Sequence, residues 1–119
     1  MNIHAWAESI PAAFWGWGGV NAYPRNAEGY CAVLDSVQGM TTPSTMHLIN
    51  LAVQQLGPNE CYLEVGTWRG ATLIGALLGS DVYGVAIDDD SMNDHDGDEE
   101  LSYDIWLNNV SRFGIRRRV

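Results

Sequence analysis

Lysine is absent from this 119-residue chain, and its six arginines stand against fifteen carboxylates, a formal charge of −9. A surface of that sign lacks the basic footprint that phosphate backbones and anionic membranes need, so neither nucleic acid nor a membrane is expected as a partner. Three of the six arginines are Arg116, Arg117 and Arg118 at the chain's end, which leaves the body more acidic still. Cysteine is scarce. Cys31 and Cys61 are the only two, which indicates no disulfide framework, and the expected compartment is the reducing cytoplasm. Long apolar runs are also missing: none approaches the roughly 18 residues that span a bilayer, and the first residues lack the basic start and compact apolar centre of a signal peptide. What is present is 46% hydrophobic residues in a length that suits one domain at most, enough for a core of modest size.

The informative stretch is Glu60–Asp90, ECYLEVGTWRGATLIGALLGSDVYGVAIDDD. Cys61–Val65 is an apolar run with no polar residue before Glu64, the pattern of a strand buried on both faces of a parallel sheet. It breaks at Gly66-Thr67-Trp68-Arg69-Gly70. Leu73, Ile74, Leu77 and Leu78 then recur at helical spacing, and Gly79-Ser80 ends that helix. Val82–Ile87 is a second β-branched run that closes on Asp88, Asp89 and Asp90. Strand, glycine turn, helix and acid-tipped strand make a right-handed βαβ unit, which binds nucleoside-containing ligands at the carboxyl ends of its strands. Gly66 and Gly70 let the backbone turn and approach a ligand, while the next helix offers unpaired N–H groups.

The dinucleotide pattern G-x-G-x-x-G fails here, because Trp68 holds the second glycine position and Gly70 comes four residues after Gly66. Glu64 at the mouth would repel a pyrophosphate and attract an ammonium or sulfonium group. Asp88 at the tip of the next strand can accept hydrogen bonds from ribose hydroxyls. A cation at one end and a ribose at the other describe S-adenosylmethionine.

These residues resemble the class I S-adenosylmethionine-dependent methyltransferases, and within them the small-molecule O-methyltransferase branch, whose first motif runs acid, hydrophobe, glycine, any residue, aromatic, any residue, glycine, any residue, serine or threonine. Glu64-Val65-Gly66-Thr67-Trp68-Arg69-Gly70-Ala71-Thr72 matches it position for position, and Met40-Thr41-Thr42-Pro43 is similar to the family's lead-in. The match covers roughly residues 40–115 and is specific for the cofactor, not for the acceptor. The resemblance implies an α/β fold: the N-terminal portion of a doubly wound Rossmann-like sheet, preceded by short helices. It also implies a cofactor site in which Glu64 faces the methionine end. Gly66, Thr67, Trp68 and Gly70 form the loop that lines it, Thr72 touches the methionine carboxylate, and Asp88 holds the ribose.

In chain order, residues 1–39 read as a helical and irregular segment and 40–119 as the cofactor-binding part. A short helix is expected over His4–Phe14 with an interruption at Pro11, then a glycine-aromatic turn at Trp15–Gly19, whose tryptophans cover the core, then a helix over Ala27–Val37. Thr42 and Pro43 are a helix start, with Met46, Ile49, Val53 and Leu56 on its apolar face and His47 off that face, at the surface. Arg69 reads as a solvated loop residue. Nine of the fifteen carboxylates lie between Asp88 and Asp104, but a calcium loop centred on Gly97 would need acids where Met92 and Tyr103 stand, so no metal site is assigned. Asp98, Glu99 and Glu100 precede a helix with Leu101, Ile105, Trp106, Val110 and Phe113 buried, and Ile115–Val119 reads as the start of a third strand.

Such a sheet has about seven strands in that family, so a chain ending here is expected to be a truncated, inactive cofactor-binding half with an open strand edge and a tendency to self-associate as a homo-oligomer. No catalytic base can be named. Two readings stand: methyl transfer to a small-molecule substrate, or a non-catalytic α/β module that binds a nucleoside or a protein partner.

Overall fold

The structure, a computed structural model, describes residues 1–89, 91 and 102–119. Asn2 opens the first helix by accepting the Ala5 N–H, and α1 (Ile3–Ala13) runs straight through Pro11 where an interruption was expected. Proline removes one helical donor, but the Ala7 carbonyl it leaves belongs to an exposed residue that water can reach. β1 (Phe14–Trp15) and β2 (Tyr23–Pro24) pair as an antiparallel hairpin around the expected glycine-aromatic turn. Trp15 and Trp17 remain about half exposed on it; Arg25 stacks 3.6 Å over the Trp15 ring, and Trp17 tilts against Phe14. α2 spans Glu28–Leu34, shorter than the apolar run allowed.

Thr42 and Pro43 start α3 (Pro43–Val53) as the sequence dictates, with the Thr42 hydroxyl accepting the Thr45 N–H at 3.2 Å. β3 (Tyr62–Val65) leads into α4 (Ala71–Leu77), and β4 (Gly84–Ile87) returns parallel to β3, with Tyr62 opposite Gly84 and Val65 opposite Ile87. α5 covers Ser102–Arg112. The described residues form a mixed α/β domain of helices and two small sheets. Among the described residues, no helix is long and apolar enough to cross a membrane.

α4 is the centre. Ala71 and Leu73 through Leu77 are all buried, and the core around them takes Val33 from α2, Met46 and Val53 from α3, Val110 from α5, and Ile115. α3 and α4 approach so closely at Gly75 that an added Cβ would lie 2.5 Å from the Met46 Cγ. The buried Asn50 amide reaches from α3 to the end of α4 and donates to the carbonyls of Ala76 at 2.9 Å and Leu78 at 2.8 Å. Gln54 holds the Asn50 oxygen at 2.7 Å. These bonds satisfy carbonyls that a helix end otherwise leaves bare.

Three expectations are corrected. Ile115–Val119 is no strand: Gly114 turns with φ +71°, Ile115 drops into the core, and Arg116–Arg118 forms a 3-10 turn that lets Arg118 donate to the carbonyls of Ser80 and Leu77. His47 is 7% exposed, not a surface residue, because α1 and the hairpin close over the flank of α3 that the apolar spacing left uncounted. Its Nδ1 lies 2.9 Å from the Tyr30 hydroxyl, and Phe14 and Tyr30 pack on its ring. β3 is not buried on both faces. α4 covers Tyr62, Glu64, Gly84 and Ala86, whereas Leu63 and Val65 on the other face are 55% and 74% exposed. Asp90, the Gly97 loop, Asp98–Glu100 and Leu101 lie outside the described residues.

Candidate functional site

The loop between β3 and α4 has the strained geometry its glycines were read for. Gly66 and Gly70 have φ of +79° and +86°, and Trp68 between them is the one non-glycine of the described residues in the left-handed region, at +44°. A side chain there costs energy and must be held by its surroundings. The hold is visible. The Trp68 N–H donates to Asp88 Oδ2 at 2.5 Å, the Arg69 guanidinium lies 5.0 Å from the Trp68 ring, and the Arg69 carbonyl accepts the Asn109 amide at 2.9 Å. Asp88, at the tip of β4, thus closes the loop from the neighbouring strand.

Glu64 sits beneath the loop, 9% exposed, and accepts the Tyr62 hydroxyl at 2.8 Å. Burial pushes its carboxyl above the ordinary value, and the hydrogen bond from the Tyr62 hydroxyl pulls it back toward the charged form. The same Glu64 contact raises the Tyr62 hydroxyl, after burial as the larger cause. Gly70 is the N-cap of α4 and has no side chain to cap with, so no side chain caps the start of that helix.

Beside the loop opens a cleft of about 150 Å³, lined by Gly66, Thr67, Trp68, Ala71 and Thr72 on one side and Gln38, Gly39 and Met40 on the other. Nothing stands within 4 Å of where a Gly66 side chain would be, so the backbone there is open to a ligand. Arg69 reaches across and donates to Gln38 Oε1 at 2.7 Å, tying the two walls together instead of pointing into solvent as expected. Of the seven residues read from the sequence, four (Gly66, Thr67, Trp68 and Thr72) line the cleft. Gly70, Glu64 and Asp88 shape the loop from behind and from its tip.

The sequence reading missed Gln38, Gly39 and Ala71 as wall residues. The place of Gly39 just before the Met40-Thr41-Thr42-Pro43 lead-in was the available signal. Pockets that enclose a whole cofactor measure about 300–1,000 Å³, so this cleft suits one end of such a molecule. The cleft offers a threonine hydroxyl, a glutamine amide and open glycine backbone as polar groups. No family model, curated protein or solved structure matches the chain.

Proposed function

We propose that this chain binds S-adenosylmethionine at the Gly66–Gly70 loop and serves methyl transfer to a small-molecule acceptor. The observation that carries the reading is the joint geometry of that loop. Two left-handed glycines, a strained Trp68, and a carboxylate from the adjacent parallel strand are bonded into one turn beside an open cleft. Strain of this kind persists at sites that use it. Gly66, Thr67, Trp68 and Thr72 would hold the methionine end, Gly70 and Glu64 would set the turn, and Asp88 would meet the ribose. When bound, S-adenosylmethionine supplies an electrophilic methyl group on sulfur. The protein's part in such a displacement is to position the reactants in line, the acceptor atom displacing S-adenosylhomocysteine as leaving group and a neutral acceptor giving up its proton to solvent.

The non-catalytic α/β module is favoured by one observation: Asp88 spends a hydrogen bond on the loop itself and Glu64 spends one on Tyr62 of its own strand, as in a purely structural turn. Calorimetric titration with S-adenosylhomocysteine separates the two. Asp88→Ala is expected to weaken binding roughly 10- to 150-fold, the loss of charge-assisted hydrogen bonds, while Asp89→Ala does much less. Equal losses in both variants, with the fold intact, would remove Asp88 from the site.

A further inference from the structure

One face of the β3–β4 sheet carries an apolar surface that the proposed cofactor site does not use. Leu63, Val65, Tyr83, Val85 and Ile87 alternate onto it and are 44–74% exposed. The opposite face is the closed one: a Cβ on Gly84 would meet Leu77 at 2.8 Å and Val119 at 3.0 Å, so α4 and the chain's end both lie behind the sheet. The five side chains expose on the order of 500 Å², in the range where the largest patch on a protein surface is commonly an interaction site.

Two observations say what covers it. The strands are parallel, and parallel sheets occur almost only with helices on both faces. The corners of the patch are acidic: Asp81 stands exposed before β4, and Asp88 and Asp89 stand exposed after it. Three of the six arginines are engaged elsewhere. Arg25 stacks on Trp15, Arg69 bonds Gln38, and Arg118 bonds the carbonyls after α4, in the same terminal segment whose Val119 packs on the closed face. A second copy would bring the same acidic corners and the same charge of −9, which opposes the self-association that an open strand edge invites.

We propose that this face docks an amphipathic helix of a partner protein, with an apolar stripe for the sheet and lysine or arginine flanks for the aspartates. The mode is a helix laid on an apolar surface, with oriented charge setting the choice of partner.

The test uses the full chain and two synthetic helical peptides with the same leucine stripe, one flanked by lysines and one by glutamates, read by fluorescence anisotropy. The lysine peptide is expected to bind at least tenfold more tightly than the glutamate peptide and to weaken as salt rises. Val65→Ser with Tyr83→Ser, which leaves the charge unchanged, should cost tenfold or more at an unchanged urea midpoint. Asp81→Asn with Asp89→Asn should flatten the salt dependence and keep residual binding. Equal binding of the two peptides, or full binding by the serine variant, would overturn the proposal. So would a concentration-dependent dimer in sedimentation that the serine variant abolishes, because a second copy would then be the occupant.

Discussion

Replacing Asn50 with leucine tests what fixes α4, and with it the loop that α4 follows. Asn50 is 2% exposed, and its amide carries two hydrogens for three carbonyls, at 3.3 Å to Gly75, 2.9 Å to Ala76 and 2.8 Å to Leu78. Two good bonds are therefore at stake. Leucine keeps the volume and leaves the Ala76 and Leu78 carbonyls without that donor, at about 1–3 kcal/mol for each buried orphan. Burial of the new apolar side chain returns roughly 1 kcal/mol. The net expectation is a loss of about 1–5 kcal/mol, against the 5–15 kcal/mol typical of a whole domain. Gln54→Ala removes only the 2.7 Å bond that orients Asn50 and should cost about 1 kcal/mol. Urea unfolding of the two single variants and the double variant gives both values and their coupling, which should be non-zero because the residues share one network. An Asn50→Leu protein within about 0.5 kcal/mol of the parent at constant slope would refute this account of the helix end.

Two further perturbations follow from the same packing. Gly75→Ala places a Cβ 2.8 Å from the Met46 Cβ, which no rotamer change can relieve. It should destabilise by about 1–3 kcal/mol despite alanine's better helix propensity, as measured by urea unfolding, and a gain in stability would show that α3 and α4 are not in contact there. His47 has its pKa lowered, first by burial, with the Ala13 backbone contact opposing. The unfolded chain therefore binds the proton more readily, so stability is fully present above about pH 6.5 and falls as pH drops from there toward the folded-state value, by at most about 1.4 kcal/mol per pH unit. His47→Phe should flatten that part of the urea-stability profile, and an unchanged slope would assign it to other groups. Tyr30, pushed up to about 12 by burial, stays protonated throughout and contributes nothing to it.

What the sequence made legible was local. Thr42-Pro43 and the two glycines of the loop each act through their own backbone, so residue type alone placed them. Contacts between distant segments were not legible. His47 is buried by α1, α2 and the hairpin, and Arg69 is claimed by Gln38, 31 residues earlier; helical spacing and loop position say nothing of either. The apolar runs of β3 and β4 read as strands covered on both sides, yet an apolar face says only that it favours burial, not what lies against it. Ile115–Val119 has strand-like ends around three arginines. Gly114, the buried Ile115 and the reach of Arg118 to the end of α4 bend it into a turn.

The claim that the Gly66–Gly70 loop is a ligand site is tested most directly by backbone amide NMR during titration with S-adenosylhomocysteine. The account predicts saturable shifts at Gly66, Thr67, Trp68, Gly70, Ala71 and Thr72 and, across the cleft, at Gln38, Gly39 and Met40. The hairpin amides around Trp15 and Tyr23 should stay still. Shifts that saturate at the hairpin and leave the loop unmoved, or no shifts at millimolar ligand, would contradict it.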